Sequence, residues 1–357
     1  MRGFARTRRR CAPTRPSMAG LQRGAPASRT GLNSPTHRMR TSTRIGISGW
    51  RYAPWRGRFY PEGLAQVDEL AFASRMLSSI EINGSFYSLQ RPSSYEAWRV
   101  QTPKDFVFAV KGPRYVTHML QLRNARTALA NFFASGVLAL GAKLGPVLWQ
   151  LPPRMAYDDA RIEHFLGMLP RDARSALALA REHDEKLDGR SYLKASRGLR
   201  IRHAMEVRHP SFVDPAFIAA LRRHKVALVV ADTAGRWPLI EDITADFVYV
   251  RLHGDEELYA SGYGSAALDE WATRIDAWRH GRQLAGAQLA STTPARRGMR
   301  DVFCYFDNDA KVHAPYDAAH LAQRLGMATG LGPGDAFMRP AELPSVTQHS
   351  RTAPTVK

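Results

Sequence analysis

The chain has only two cysteines, Cys11 and Cys304. One lies near the N-terminus and the other in an apolar run, so they supply neither a disulfide framework nor a metal knuckle. This fits a reducing, cytoplasmic setting. Long hydrophobic runs are also missing. The longest near-continuous apolar stretch, Phe132 to Ala142, is interrupted by small residues and ends at Lys143. It is too short to span a bilayer and reads as the buried end of a helix in a soluble protein with no membrane partner. Acidic residues are missing until Glu62, and residues 1–43 hold ten arginines without one Asp, Glu or Lys. Of the formal charge of +19, only +9 therefore belongs to the rest. Rich in Pro, Ser, Thr and Gly, this segment cannot offset its ordering entropy with a core, and it is expected to be a disordered basic tail. The triplet Arg8, Arg9, Arg10 has no apolar stretch behind it, as a twin-arginine export signal requires. An acid-free, Arg-rich start has the composition of a transit peptide, and Met39 offers a later start. The favoured reading is a dispensable tail rather than an address; engagement of nucleic acid through it belongs to an alternative reading.

Hydrophobic residues make up 44% of the chain, enough for a sizeable core. From residue 44 onward, short β-branched or aromatic runs alternate with helical patterns. The expected strands are Arg44–Ser48, Ser79–Asn83, Phe106–Lys111, Pro146–Leu151, His203–Arg208, Val226–Asp232, Phe247–His253 and Asp301–Phe306. Expected helices include Val67–Leu77, one capped by Ser93, a long one over Asn124–Leu140, others near Asp158–Met168 and Asp172–Glu182, one after Asp214, then Ala266–His280 and Asp317–Leu325. Eight strands with crossovers of helical length call for a parallel sheet closed into a (β/α)₈ TIM-type barrel over 44–327. Residues 328–357 read as a loose C-terminal tail. An open doubly wound sheet is the runner-up, but Gly46-Ile47-Ser48-Gly49 lies inside the first strand and opens no helix, unlike a dinucleotide-binding turn.

In a parallel barrel the working surface forms where strands end. Polar residues gather there: Ser48 and Trp50; Glu81, Asn83 and Tyr87; Lys111 and His118; Gln150; Glu206, Arg208 and His209; Asp232; Arg251 and His253; Asp307, Asn308 and Asp309. Alternation puts Glu206 with Arg208, and Arg251 with His253, on shared faces. Charges this deep in apolar strands must be paired or hydrogen-bonded. The segments GISGWRYAPWRGRFYP (46–61), SIEINGSFYSL (79–89), FVFAVKGPRYVTH (106–118), LWQLPP (148–153), EVRHPSF (206–212), YVRLHG (249–254) and FDND (306–309) resemble the YecE-like family, barrel proteins grouped as a domain of unknown function. The resemblance covers essentially the whole proposed barrel. It implies the fold and brings no reaction, substrate or cofactor. One departure is Asp307, where the family usually has Asn.

The favoured function is an enzyme, hydrolase or isomerase-like, that binds a small phosphate- or carboxylate-bearing substrate. Arg208, Arg251, Lys111 and His253 would hold the anion, with His118, Gln150, Trp50 and Asn308 as further contacts. Glu206 or Glu81 would transfer protons, with Asp232 as orienter. The competing structural reading pairs Arg251 and His253 with Glu206 or Asp232. Glu81, Glu206, Asp232 and His253 could also present donors to a divalent metal, although no HxH or HExxH spacing marks one, and no metal ligand or cofactor is assigned. The aromatic cluster Trp50, Tyr52, Trp55, Phe59 and Tyr60 reads as a stacking platform or as a lid. A Ser48–His253–Asp232 triad lacks a nucleophile elbow. The alternatives are a nucleic-acid-binding or phosphodiester-processing protein and a non-catalytic ligand-binding barrel. Nothing in the sequence sets an oligomeric state.

Overall fold

The computed structural model describes residues 41–330. Eight strands close into an all-parallel barrel in sequence order. They are β1 (Thr43–Ser48), β2 (Ser79–Ile82), β3 (Val107–Lys111), β4 (Leu144–Gln150), β5 (His203–Glu206), β6 (Ala227–Asp232), β7 (Phe247–Leu252) and β8 (Asp301–Phe306). Pairing of β1 with β8, from Thr43↔Val302 to Ile47↔Phe306, shuts the ring. Every expected strand is present within two residues at each end, and β8 has the expected bounds. The expected tails lie mostly outside the described residues. At their edges, Thr43 already opens β1, and Gly330 N donates to Met76 O.

The helices differ more. The expected long helix over Asn124–Leu140 is two pieces, an α-helix at Arg126–Ala134 and a 3₁₀ segment at Val137–Lys143. The break falls at Gly136, whose φ of 119° is open to glycine but strained for other residues. Ser93 does not cap its helix. Pro92 takes the first position after Arg91, with its φ already set for a helix. The last helix starts at His313, earlier than expected, behind Val312. Asp158, Asp172 and Asp214 do cap their helices through side-chain oxygens.

Two apolar layers follow from strand alternation. Outward-facing strand residues pack under the helices in one large core. Inside the ring, Phe247, Tyr249, Phe303 and Tyr305 from β7 and β8 pack with Ala109, Ala204, Ala227 and Ala231. Large rings thus meet small residues across the bore, which is filled rather than open. Arg202 closes the lower end, its guanidinium 5.1 Å from the Phe247 ring and 4.7 Å from the Phe303 ring. The upper inward positions remain for polar groups.

Candidate functional site

The alternation that sends Phe247 and Tyr249 into the bore sends Arg251 and His253 in above them. On β8 the same step carries Phe303 and Tyr305 to Asp307. Arg251 is fully buried, and each of its donors has a protein partner. Nε and Nη2 reach Glu81 at 3.2 and 2.9 Å. Nη2 also meets Ser48 Oγ at 3.0 Å and Asp307 Oδ2 at 2.8 Å. Nη1 donates to Glu206 Oε2 at 2.8 Å and lies 3.2 Å from His253 Nε2. His253 therefore accepts at Nε2 and carries its proton on Nδ1. That nitrogen sits 3.1 Å from Asp307 Oδ2, at an angle short of a well-formed hydrogen bond. Burial, then Arg251, holds the imidazole below its usual range, so it is neutral at pH 7.

The carboxylates are equally occupied. Glu206 Oε1 accepts from Gln150 and from Arg208, both at 2.9 Å. Tyr249 and Ser48 donate to Glu81. Burial works to raise Glu206, but Arg208 and Arg251 overcome it and hold the carboxyl well below the usual range. Asp307 is depressed in the same way, chiefly by Arg251. Glu206 is therefore ionised and weakly basic at neutral pH, poorly matched to proton transfer.

Above this layer lies a cavity of about 540 Å³, lined by Tyr52, Asn83, Phe86, Tyr87, Lys111, Arg114, His118, Gln150, Tyr259, Asp307 and Asp309. Lys111, at the end of β3, is 8% exposed, and its Nζ rests 4.4 Å from the centre of the Phe86 ring. Burial first, then Arg251, pushes its ammonium down to about 8. His118 is held down to about 4 by burial and then by Lys111, Arg208, Arg114 and Arg154, so several cations bear on one point. Asp309 moves the other way, up to about 6, through burial and the adjacent Asp307 charge.

Residues 44–338 match the family model described as Protein of unknown function DUF72. The chain belongs to the DUF72 family. UPF0759 YecE proteins from two Escherichia coli strains are each 25% identical to it over 236 residues, 66% of this chain and 81% of theirs. Among solved structures, a DUF72 family protein from Thermotoga maritima matches with a TM-score of 0.58 at 20% identity, covering 80% of this chain and 99% of that one. A DUF72 family protein from Enterococcus faecalis matches with a TM-score of 0.56 at 14% identity, covering 80% and 96%. At these identities the structural likeness shows the shared barrel fold. No helix among the described residues of this DUF72 protein is long and apolar enough to cross a membrane.

The structure brings Lys111, His118 and Gln150 to the cavity wall, and places Arg208 beside it through a 3.2 Å contact with Tyr259 OH. Arg251, Glu81, Glu206 and His253 form the floor beneath. Three expected residues lie elsewhere. Trp50 is buried edge-on against Trp98. Asn308 turns away to Ser261 O and Asp317. Asp232 accepts from Tyr263 OH at 3.0 Å and lines a neighbouring cavity with Trp237 and Arg208. The four donors considered for a metal do not converge, because the Arg251 guanidinium bridges Glu81 and Glu206. Among the described residues no group of three or more His, Cys, Asp or Glu is placed to hold an ion. Ser48 bonds Glu81 rather than His253, so the triad is not assembled. Trp55, Phe59 and Tyr60 are buried against one another, and only Tyr52 of the first-loop aromatics reaches the cavity.

Asp309, Arg114 and Tyr259 were not among the expected contacts. Asp309 stood beside the Asp307 departure and could have been found there. Tyr259 is carried by a loop that Gly254 permits, with φ of 125° and Glu257 O only 2.3 Å from where a Cβ would stand. Asp307 supplies a negative charge to the cavity wall. Asp307→Asn, which removes that charge, is expected to tighten phosphate binding roughly three- to tenfold. Titration of parent and variant with inorganic phosphate at low salt checks this, and a weaker or equal affinity would count against it.

Proposed function

We propose that this protein is an enzyme whose cavity above β3, β4 and β8 binds a small phosphate- or carboxylate-bearing substrate. The observation that carries this reading is Lys111. Among the described residues its ammonium has no hydrogen-bond or ion-pair partner, although it is buried. Arg114 in the cavity wall and Arg208 beside it add to the field that a bound anion would meet. Gln150 and Tyr259 offer neutral hydrogen bonds, and Asp309 has the pKa suited to proton transfer near neutrality. Arg251 and His253 act in this reading from behind, fixing Glu206 and Asp307 rather than touching the ligand. The nucleic-acid alternative rests on the ten tail arginines, all of which lie outside the described residues.

Lys111→Met provides the test, because two effects should run in opposite directions. A lysine whose folded pKa is depressed opposes folding fully below about pH 8, and the penalty is relieved as pH rises toward the unfolded value near 10.4. Removing the charge should therefore raise stability at pH 7 by on the order of 1–3 kcal/mol. The same change should weaken protection by phosphate or acetate by roughly 10- to 150-fold in affinity, the loss of one charged hydrogen bond. Thermal melts of both proteins with and without each anion decide the matter. If the parent gains no protection, or the variant gains the same, the anion-binding reading fails. Absence of turnover for any bound anion would leave a ligand-binding barrel.

A further inference from the structure

Two lysines of the described barrel are buried, and they are treated differently. Lys143 donates to Arg99 O, Thr102 O and Thr102 Oγ1 at 2.7, 2.8 and 3.0 Å. Lys111, 8% exposed, has, among the described residues, only the Phe86 ring against its Nζ and otherwise faces the cavity. An ammonium that the fold can satisfy is satisfied, and the one at the cavity is left available. We propose that Lys111 is a nucleophilic lysine that condenses with the carbonyl group of an anionic aldehyde or ketone held in this cavity. The substrate's negative charge rests on the anion-binding reading above, whereas the nucleophile does not.

The chemistry requires a free amine, a proton donor and a proton acceptor within one enclosure. Facing Lys111 are Arg251, which lowers its pKa, and Asp307, Glu81 and Glu206, which raise it. Burial outweighs them all and leaves it at about 8. About a tenth of the side chain is then neutral at pH 7, against less than about a thousandth for an ordinary lysine. The lone pair on Nζ attacks the carbonyl carbon, and the π pair moves to oxygen, which takes a proton to give a carbinolamine. Nitrogen gives up one proton, and its lone pair then expels the oxygen, protonated a second time, as water. The balance is amine plus carbonyl plus one proton giving a protonated imine and water, with no oxidant or reductant. Asp309, raised to about 6, lines the same cavity as a proton carrier. His118, neutral at pH 7, lines it as an acceptor. A desolvated lysine beside another cation is the usual setting for such a nucleophile.

The test is reductive trapping on the full chain with glyoxylate, a carboxylate-bearing aldehyde, and cyanoborohydride. Peptide mass spectrometry then distinguishes Lys111 from the seven other lysines. At pH 7, Lys111 should be labelled roughly tenfold or more faster than the exposed Lys104, with a rate that levels off just above pH 8. Labelling of Lys111 no faster than Lys104 overturns the proposal. Lys111→Arg keeps the charge and removes the nucleophile, so it should retain phosphate protection and lose the trapped adduct. Phosphate protection without trapping at Lys111 sinks the imine and leaves the anion reading standing. Trapping without phosphate protection does the reverse.

Discussion

Arg251→Ala is expected to lower the stability of the barrel by about 3–5 kcal/mol at neutral pH, because it strands buried carboxylates rather than emptying a ligand contact. Glu81, Glu206 and Asp307 all lean on this one guanidinium, and among the described residues Glu206 alone keeps a second, in Arg208. The pH dependence has a definite sign. Glu206 and Asp307 have folded pKa values below their unfolded ones. Their contribution is therefore full above the ordinary carboxylate range and is lost as pH falls through the folded values. Without Arg251 the same groups oppose folding while ionised, and that penalty vanishes on protonation. The gap between parent and variant should thus be widest at pH 6–7 and narrow below about pH 4. Arg251→Lys should recover only part of the loss, since an ammonium cannot bridge Glu81 and Glu206 as a planar fork does. Urea melts at both pH values measure this. A loss under about 1 kcal/mol accompanied by weakened phosphate protection would falsify the structural assignment.

Gly46→Ala should be at least as damaging, from a steric cause. Gly46 pairs with Ser79 on one side and Tyr305 on the other. A Cβ there would stand 1.9 Å from Ser79 O, which is backbone and cannot swing aside. Ser79 is itself tied to Val107 O at 2.6 Å and to Tyr305 OH at 2.7 Å. Relief requires β1 and β2 to part, at the base of the layer that holds Glu81. Overpacking a core costs about 1–3 kcal/mol where side chains can adjust. Here they cannot, and a loss above about 3 kcal/mol is expected. An unchanged urea midpoint for Gly46→Ala would show that the seam can open without cost.

The barrel was legible in the sequence because β-branched runs and their spacing record a parallel sheet directly. Helix ends were less legible where backbone conformation outweighs composition. The run Asn124–Leu140 reads as one long amphipathic helix, yet Gly136 turns the chain with a left-handed φ. Pro92 outweighed Ser93 because a fixed φ at the first helical position needs no side-chain cap. In the site, alternation correctly paired Glu206 with Arg208 and Arg251 with His253. What alternation cannot carry is depth across the bore. Strands β1, β2, β5 and the end of β8 all send polar residues to Arg251 on β7, and only relative height decides that Arg251 meets Glu81 and Asp307 while, among the described residues, Lys111 on β3 meets no carboxylate. Asp232, one strand away from Arg251, differs by facing a separate cavity, which spacing along β6 does not record.

Apart from His253, two positions on, the hydrogen-bond partners of Arg251 lie between 45 and 203 positions away, from Glu206 to Ser48. No nucleus of neighbouring strands can contain them. Burying these charges together requires β7 to meet β8, β8 to meet β1, β1 to meet β2 and β5 to reach β7 through β6, so the layer is expected to lose its water late in folding. A latch that forms last does little for the speed of folding and much to slow coming apart. The polar layer under the cavity therefore governs how long a folded molecule persists between openings, and the deficit of Arg251→Ala falls mainly on its unfolding rate constant.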